Sequence, residues 1–526
     1  MPDLTEHGEA TTAPDGLLDA FEAYETALKS NDIAVLNDLF APGEDTVRGD
    51  GNVLLVGHEA IAGFRAGRTR IPTRRVTRLL VQHIRDDAAL VMAATEEPSN
   101  RATGLQTQLW QRIEGAWKIT AAHVTLPKRD LDPSPVFDRA VWRVAGTPLV
   151  APTGSGRLDG LTVAVKDLFA VAGQAIGAGN PTWLSEQHPQ ESTAPSVTAL
   201  LRAGAAITGI ARTDEFAYSL AGQNAHYGTT PNPAVPDGIG GGSTSGPAAA
   251  VALRQVDIGL GTDTAGSIRV PASYQGLIGV RPTHGAVPTT GVLPLSPSFD
   301  TVGWLTRDLG SARRAAEVLV SGTSTAAPAR TLILPAVEAH ASASVRAALA
   351  ARRGELLDAG RLPPAVTEDL PPETLDRWFT AFRTVQAYEA WHHHGPWISA
   401  HAGALGDAIE RRFTAASTVT ASEAEEASQI VAQARSILRE WLTDSVLVLP
   451  STASSAPARK APETVIETER AGTLRLTCLA GLAGAPAISM PLLSDAAGRP
   501  VGLCLVGHPG TDLALFDLAA TVQETR

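Results

Sequence analysis

The chain has 526 residues, which is too long for one ordinary domain and predicts two to four. Its apolar content of 44% and mean hydropathy of +0.02 are ordinary for a soluble globular protein. The formal net charge of −12 argues against nucleic acid or an anionic membrane surface as the main partner. Neither Cys478 nor Cys504 has metal-ligand spacing around it, so we expect no zinc site and no disulfide framework.

Residues 1–14 are polar and acidic, and we predict that they are disordered. They lack the basic and apolar regions of a signal peptide. The longest uncharged run, residues 476–494, contains two glycines and two prolines, which favours a buried strand with its approaches over a lipid-spanning helix. We therefore predict a cytoplasmic protein with no membrane partner.

Residues 15–127 place helical patterns first and strand patterns after them. From Asp15, apolar side chains follow one helical stripe, and "DIAVLNDLF" predicts a second short helix. Six strand-like segments follow, with "RDDA" and "IEGAW" as hairpin turns and "HEAIAGFRAGR" as an intervening helix. This order predicts a small α+β unit over residues 15–127.

Residues 128–158 are rich in proline and turn formers, and we predict a linker there. Beyond it, strand and helix patterns alternate, including a predicted helix over "TDEFAYSL" and a buried strand over "VDIGLG". This texture predicts one α/β domain over residues 159–526, built around a mixed, mainly buried sheet flanked by helices.

Three residues of this domain are candidates for chemistry. Lys166 lies in the apolar strand "VAVKDLF", Ser243 in the loop "GGGSTSGPAAA", and Ser267 in the loop "GTDTAGSIRVPAS". Each has a structural explanation when taken alone, because interior lysines commonly extend to the surface and Gly/Ser loops commonly form turns or helix caps.

The combination of these three residues indicates acyl transfer. A lysine in an apolar strand loses hydration, which lowers its pKa and lets the neutral amine accept a proton in place of a histidine. The proton of Ser267 would then reach Lys166 by way of Ser243. Small-residue loops also leave backbone N–H groups available to stabilise an oxyanion.

The stretch "GGGSTSGPAAAVALRQVDIGLGTDTAGSIRVPASYQGLIGVRPTHG" resembles the signature of the amidase signature family. The spacing of Lys166, Ser243 and Ser267 is similar to that of the family's Ser–cisSer–Lys triad. The resemblance implies that Ser267 is the nucleophile, that Ser243 is a bridging serine after a cis peptide bond, and that Lys166 is the base. It also implies an acyl-enzyme and no metal or organic cofactor.

The same resemblance implies an oxyanion hole made by the N–H groups of Thr264, Ala265 and Gly266, together with that of Ser267. Ala265 stands where the family often has glycine and would be strained if its φ had to be positive. Thr244 and Ser245 replace the usual neighbours of the bridging serine, and Arg281, which we interpret as structural, replaces a common lysine.

"GNPTW", "QNAHYG" and "SFDTVGW" resemble the short amidases that include plant indole-3-acetamide hydrolases. The resemblance implies a small-molecule substrate, namely a primary amide of an aryl- or alkylacetic acid. We expect residues 335–440 to line the acyl pocket. Three consecutive histidines, His392 to His394, cannot share one helix face, so we expect no metal site there. The aromatic residues that we expect in the core or pocket wall are Trp378, Phe379, Phe382, Trp391 and Trp397.

The N-terminal segments "DLFAPGEDTVRGDGNVLLVGHEAIAGFRAGR" and "LQTQLWQRIEGAWKITAAHVTLP" resemble an AtzH-like domain of the SnoaL-like cone superfold. The resemblance implies activity on carboxylated ureas, with Tyr24 and Arg48 as the active pair. A guanidinium such as that of Arg48 suits a carboxylate. The alternative is a domain that serves only folding or dimerisation, with Tyr24 in its core.

Four functional hypotheses follow from the sequence. The first is hydrolysis of a small linear amide, and the second is a ureido or carboxyurea hydrolase that uses both domains. The third is an amidotransferase subunit, which would need partner subunits and would not release free ammonia alone. The fourth is a binding protein with an inactive amidase fold, which the retained lysine and serines disfavour. We expect a homodimer.

Overall fold

The computed structural model describes residues 13–50, 54–66, 74–96, 103–125, 137–321 and 326–524. The chain divides into two compact units, Met1–Pro133 and Ser134–Arg526. The disorder predicted for residues 1–14 falls almost wholly outside the described residues. The predicted domain limits, 15–127 and 159–526, stay predictions.

The first unit has three helices and six strands in its described residues. Its helices are α1 (Leu17–Ser30), α2 (Ile33–Asp38) and α3 (His58–Ala66). Its strands are β1 (Val47–Asp50), β2 (Leu54–Val56), β3 (Arg75–Arg85), β4 (Ala88–Glu96), β5 (Thr103–Ile113) and β6 (Ala116–Thr125).

The six strands form one sheet in the order β2-β1-β6-β5-β4-β3. Strands β3 to β6 form the antiparallel meander that the hairpin turns predict, and β1 joins β6 in parallel. Along β4, buried residues alternate with half-buried ones, as expected for a sheet that is covered on one face. The buried face packs with α1 and α2 into one core around Phe21, Phe40, Trp110 and Ile119.

The second unit carries thirteen strands and twelve helices in its described residues. Its elements up to residue 306 are β7 (Trp142–Val150), β8 (Thr162–Lys166), α4 (Pro181–Glu186), α5 (Pro195–Arg202), β9 (Ala206–Ala211), β10 (Gln223–Asn224), β11 (Gly228–Thr229), α6 (Ser245–Ala252), β12 (Ile258–Asp263), α7 (Arg269–Gln275), β13 (Ile278–Arg281) and β14 (Thr301–Thr306). The later elements are α8 (Leu309–Leu319), β15 (Arg330–Ile333), α9 (Pro335–Glu338), α10 (Ala343–Asp358), β16 (Ala365–Thr367), α11 (Pro372–Ala400), α12 (Asp407–Ala416), α13 (Ala421–Leu442), β17 (Ser445–Pro450), α14 (Glu463–Ala483), β18 (Ala487–Ser494), β19 (Pro500–Val506) and α15 (Asp512–Gln523).

Eleven of these strands form a mixed sheet in the order β16-β15-β17-β19-β18-β13-β14-β12-β8-β9-β7. The central strands β12, β13 and β14 are buried at every position, which explains their continuous apolar runs. The α/β architecture predicted from the alternating patterns is confirmed. Strand β12 pairs with β8 in parallel, and this pairing brings their C-terminal ends to the same edge of the sheet.

Part of the predicted linker is a strand. Residues 142–150 form β7 at the sheet edge, where it pairs with β9 through two shifts of register. Pro148 follows a cis peptide bond, and a proline is tolerated in an edge strand because no neighbour needs its missing N–H. The glycine and proline that indicated a linker are therefore features of an irregular edge strand.

Two further sequence predictions are corrected. The helix predicted over "TDEFAYSL" is only a single 3₁₀ turn at Glu215–Ala217, because Phe216 and Ala217 both adopt positive φ. The uncharged run 476–494 is the last part of α14 followed by β18, with Gly484 ending the helix at a φ of 64°. Among the described residues, no helix is both long and apolar enough to span a membrane.

Candidate active site

Lys166 is the last residue of β8 and is completely buried. Its Nζ lies 2.8 Å from Ser243 Oγ, 2.8 Å from Thr262 Oγ1 and 3.1 Å from Thr244 Oγ1. Three hydroxyl oxygens therefore surround the amine. β8 lies between β9 and β12 inside the sheet.

Burial lowers the pKa of Lys166 from its ordinary value of 10.5 to about 7. Asp214, Asp300 and Asp263 act in the opposite direction, because their negative charges favour the ammonium form. Burial is the larger effect. A substantial fraction of the lysine is therefore neutral near pH 7, which a proton acceptor requires.

Ser243 occupies a loop that forms hydrogen bonds with two residues of the preceding segment, Thr213 and Leu220. The peptide bond between Gly242 and Ser243 is cis. The Gly242 N–H donates to Leu220 O at 2.8 Å, and Thr213 Oγ1 donates to Ser243 O at 2.9 Å. Helix α6 begins two residues later, so this short loop fixes the Ser243 hydroxyl beside the lysine.

Ser267 lies in the loop between β12 and α7 and is 3% exposed. The Thr244 N–H donates to Ser267 O at 3.3 Å, so the two serine-bearing loops contact each other. Gly266, which precedes the serine, has a φ of 116° that favours glycine. Ala265 does not adopt a positive φ, so the strain considered for an alanine there does not arise.

The buried carboxylate of Asp263 stabilises the Ser267 loop through hydrogen bonds. This carboxylate accepts hydrogen bonds from the N–H groups of Gly266 and Ile268 and from the guanidinium groups of Arg269 and Arg281. Burial acts to raise the pKa of Asp263, but the two arginines outweigh it and hold that pKa well below its usual range. Arg281 also donates to Asp263 O at 2.5 Å, which accords with a structural role.

The proposed oxyanion donors differ in their surroundings. The Gly266 N–H donates to Asp263 Oδ1 at 3.0 Å, whereas the N–H groups of Thr264, Ala265 and Ser267 have no hydrogen-bond partner in the described part of the chain. The Ala265 carbonyl accepts from Thr477 Oγ1 at 2.6 Å. This bond fixes the peptide plane that carries the Gly266 N–H.

The aromatic residues predicted for the pocket wall lie on α11. Trp378, Phe379 and Phe382 are buried, and Trp391 and Trp397 are partly buried against the core. The Phe382 ring and Thr264 O both lie next to Gly481, since a Cβ added to this glycine would be 3.1 Å from Phe382 and 3.3 Å from Thr264 O. The ring therefore lies beside the Ser267 loop. Gly481 thus leaves room between an aromatic wall and the loop.

The three consecutive histidines of α11 point differently. His394 is buried, with Nε2 2.7 Å from Pro294 O, and burial lowers its pKa to about 4. His392 and His393 are exposed. In the described ranges, no group of three or more His, Cys, Asp or Glu side chains is arranged to hold a metal ion.

The first unit has its own buried polar groups. Tyr24 lies in the core with its ring 6.5 Å from those of Phe40 and Trp110, and Arg48 is buried with its guanidinium 4.6 Å from the Phe64 ring. Arg48 pairs in register with Ala122 of β6, which in turn pairs with Gln108 of β5.

A second buried cluster in this unit was missed by the sequence analysis. Glu25 Oε1 accepts from Arg74 Nη2 at 2.8 Å and from Gln106 Nε2 at 2.8 Å. Glu25 Oε2, Arg74 Nε and Gln108 Nε2 are buried and have no partner among the described residues. The alternation of β5 could have indicated it, because Gln106 and Gln108 occupy inward positions next to Trp110.

The residues that contact Lys166 and the Ser267 loop could not be selected from the sequence in the same way. Thr262 and Asp263 stand in the quoted stretch that contains Ser267, but only the pairing of β12 with β8 reveals that one faces Lys166 and the other the loop. Thr477 lies 210 positions after Ser267, and no local pattern links the two residues.

Comparison with known proteins identifies the families of both units. The Amidase family model matches residues 148–359 and 393–516, and the AtzH-like family model matches residues 13–130. The chain is 34% identical to Amidase 1 of Arabidopsis thaliana over 415 residues, which cover 73% of this chain and 97% of that protein.

Solved structures give the same result. A crystal structure of an amidase matches with a TM-score of 0.65 and 28% identity over 75% of this chain and 94% of that chain. An allophanate hydrolase of Kluyveromyces lactis matches with a TM-score of 0.62 and 25% identity over 69% of this chain and 61% of that chain. The chain therefore belongs to the amidase signature family of hydrolases acting on carbon–nitrogen bonds, and it carries an AtzH-like domain at its N-terminal side.

Proposed function

We propose that the chain hydrolyses a small linear amide to a carboxylate and ammonia or an amine, with Ser267 as nucleophile, Ser243 as bridge and Lys166 as base. The observation that carries this proposal is the 2.8 Å contact between Lys166 Nζ and Ser243 Oγ in a completely buried position. The pKa of Lys166, near 7, supports the role of a base at neutral pH.

In the proposed reaction, Lys166 accepts the proton of Ser243 while Ser243 accepts that of Ser267. Ser267 Oγ then attacks the amide carbonyl, and the relay returns the proton to the leaving nitrogen as the C–N bond breaks. Water repeats the sequence on the acyl-enzyme and releases the carboxylate. No metal or organic cofactor takes part in these steps.

The developing oxyanion would be stabilised by the N–H groups of Thr264, Ala265 and Ser267. The Gly266 N–H already donates to Asp263, so its contribution requires that it be shared between the carboxylate and the oxyanion. The similarity to Amidase 1 supports an amide as substrate, and the Phe382 wall favours an apolar acyl group. We propose a primary amide of an aryl- or alkylacetic acid.

The test is labelling with a fluorophosphonate, which reacts with an activated serine, combined with release of ammonia by the purified chain alone. Labelling that disappears in Ser267→Ala and persists in Ser273→Ala, a buried serine of α7, supports the proposal. Release of ammonia only with an added partner would favour an amidotransferase subunit. Absence of both labelling and turnover would favour an inactive binding protein.

A second candidate function uses both domains on a ureido or carboxyurea compound. The allophanate hydrolase match supports it, and so does the buried polar interior of the first unit around Glu25, Arg74 and Gln108. Tyr24 and Arg48 are then the proposed site of the AtzH-like domain. Carboxyurea consumption that is lost in Arg48→Met and retained in Ser267→Ala would assign the first step to the AtzH-like domain, and loss of the final ammonia release in Ser267→Ala would assign the second step to the amidase domain. If Arg48→Met changes only thermal stability, the domain is structural.

We further propose a cytoplasmic homodimer that associates through the first unit. Leu80 and Ile84 of β3 and Leu105 of β5 are 51%, 53% and 61% exposed on its sheet, and burial of such apolar side chains would favour association. Both cysteines are free and buried, which accords with a reducing compartment. Light scattering on the purified chain and on Leu105→Glu tests the dimer.

A further inference from the structure

Residues 294–300 link helix α11 with the loop that carries the proposed nucleophile; we call them the connecting segment. Asp300 ends this segment, is buried, and accepts a hydrogen bond from Thr264 Oγ1 at 2.5 Å. The Thr264 carbonyl accepts from Arg281 Nη1 at 3.3 Å, and the same peptide group carries the Ala265 N–H. Two of the proposed oxyanion donors, the N–H groups of Thr264 and Ala265, therefore flank a side chain that Asp300 fixes.

The connecting segment in turn fixes Asp300. Its Oδ2 accepts from the N–H groups of Leu295 and Ser296, both at 2.9 Å, while its Oδ1 accepts from Thr264. Burial raises the pKa of Asp300, and these three hydrogen bonds act in the opposite direction. The carboxylate is thus held at both oxygens, and its position depends on the backbone of the connecting segment.

Helix α11 holds the other side of the connecting segment. Glu389 Oε2 accepts from Ser296 Oγ at 2.5 Å and from the Ser298 N–H at 3.2 Å, and Glu389 Oε1 accepts from Ser298 Oγ at 2.5 Å. Further along the helix, His394 Nε2 lies 2.7 Å from Pro294 O. Two side chains of α11 therefore fix three residues of the segment.

Ser296 joins the two carboxylates. Its N–H donates to Asp300, its hydroxyl donates to Glu389, and the residue is completely buried. A continuous path of hydrogen bonds therefore runs from α11 through Ser296 and Asp300 to Thr264. Every bond on this path has a carboxylate as acceptor, which makes it stronger than a bond between neutral groups. A displacement of Glu389 should therefore reach Thr264.

We propose that Glu389 and Asp300 are positioning residues for the oxyanion hole, and that they act through Thr264 rather than on the substrate. This inference rests on the proposed amide hydrolysis. Negative charge on the carbonyl oxygen develops only as Ser267 Oγ adds to the carbonyl carbon, so correctly directed N–H groups stabilise the transition state more than the bound amide. Loss of either carboxylate should therefore lower kcat and leave KM nearly unchanged.

The experiment compares two ligands of similar shape on the purified full chain. Benzyl trifluoromethyl ketone accepts Ser267 Oγ at its carbonyl carbon, the serine proton passes to Lys166 through Ser243, and the carbonyl oxygen becomes an oxyanion. Phenylacetamide binds without that charge, and its Kd is measured in the Ser267→Ala background, which cannot form the adduct. The ketone therefore reports the oxyanion hole, and the amide reports the acyl pocket alone.

Glu389→Gln keeps the size of the side chain but replaces one carboxylate oxygen with an N–H donor that faces serine donors. We expect the Ki of the ketone to rise, and kcat for phenylacetamide to fall, at least about tenfold, while the Kd of phenylacetamide changes less than about threefold. Asp300→Asn should have a larger effect of the same kind. If Asp300→Asn does not fold, Glu389→Gln, at a half-buried position, still decides between the outcomes.

Glu186→Gln is the matched control, because the Glu186 carboxylate also accepts from α11, at Trp397 Nε1 and 2.8 Å, but lies on α4. We expect it to change the Ki of the ketone less than about threefold. The rate of fluorophosphonate labelling gives the same comparison without a chosen substrate, since negative charge also develops on the phosphoryl oxygen.

The double variant Thr264→Val/Glu389→Gln tests the path itself. It should lose little more activity than Thr264→Val alone, because both changes interrupt the same series of hydrogen bonds. Losses that multiply in the double variant would show that Glu389 acts by a route other than Thr264, and would overturn the inference.

Two further results would overturn the inference and leave amide hydrolysis intact. One is equal weakening of the ketone and of phenylacetamide by Glu389→Gln, because the carboxylate would then support only the pocket wall. The other is an unchanged Ki together with an unchanged labelling rate. Absence of both turnover and labelling in the wild-type chain would instead remove the proposed function, and this inference with it.

Discussion

Lys166 Nζ lies 2.8 Å from Thr262 Oγ1, on the neighbouring strand of the sheet. The hydroxyl oxygen accepts a hydrogen bond from the ammonium form and thereby favours the charged lysine. Thr262→Val removes this acceptor with little change of shape. We expect the pKa of Lys166 to fall further, and the acid limb of the kcat/KM profile to move to lower pH by up to about one unit.

The measurement is kcat/KM for a neutral amide between pH 5 and 9, with Thr262→Ser as the control that keeps the hydroxyl. A role limited to packing would change the height of the profile in Thr262→Val without moving it along the pH axis. That outcome would contradict a direct effect on the base.

The wild-type pH profile is a second prediction. Lys166 must be neutral to accept a proton, and its pKa is lowered to about 7 by burial. We therefore expect kcat/KM to rise about tenfold per pH unit well below pH 7 and to level off above it. Activity that decreases from pH 6 to pH 8 would show that the essential group acts in its protonated form.

A third prediction concerns the triad itself. Ser267→Ala, Ser243→Ala and Lys166→Met should each lower amide turnover at least about 10³-fold, because each interrupts the same proton relay. The double variant Ser267→Ala/Lys166→Met should lose little more than either single variant. Circular dichroism checks that each variant is folded. If the loss of turnover in the double variant equalled the product of the two single losses, the residues would act independently and not in one relay.

A fourth prediction uses the contrast between two adjacent residues. A Cβ at Gly266 would lie 3.0 Å from Thr477 at a φ of 116°, so Gly266→Ala should distort the Ser267 loop and abolish most activity. Ala265→Gly should retain activity within about tenfold, because Ala265 does not require positive φ. Ammonia release and melting temperature are measured for both, and equal losses would contradict this reasoning.

A fifth prediction concerns stability. Asp263→Ala leaves Arg269 and Arg281 buried without their carboxylate and should lower the free energy of unfolding by about 3–5 kcal/mol. The control is Asp444→Ala, which breaks a half-exposed pair with Arg330 and should change the free energy of unfolding far less, because water screens that pair. Chemical denaturation measures both. Similar losses would mean that the buried cluster contributes no more than a surface pair.

Candidate residues could be selected from the sequence only where a feature depended on a few adjacent residues. Lys166, Ser243 and Ser267 could be selected because a lysine in an apolar strand and serines in small-residue loops are local patterns. Partners brought by the sheet could not be predicted in the same way. Thr262 becomes a neighbour of Lys166 only through the pairing of β12 with β8, and Thr477 reaches the loop only through the packing of α14.

The errors in the predicted fold have a similar origin. Phe216 and Ala217 are residue types that a helix accepts, but both adopt positive φ in the structure. The Phe216 N–H donates to Ala178 O, a distant part of the chain that the local sequence does not reveal. Strand β7 carries Gly146 and Pro148, which indicate a linker because the sequence does not reveal that only one side of the strand needs partners.

The bonds from Thr477 to Ala265 and from Arg269 to Thr477 have a consequence for biosynthesis. The Ser267 loop emerges from the ribosome about two hundred residues before α14, the helix that contacts it. A nascent chain that ends before α14 would contain every member of the proposed triad and still lack an organised Ser267 loop. The Ser267 loop should therefore become organised only after α14 has been synthesised and has packed against it.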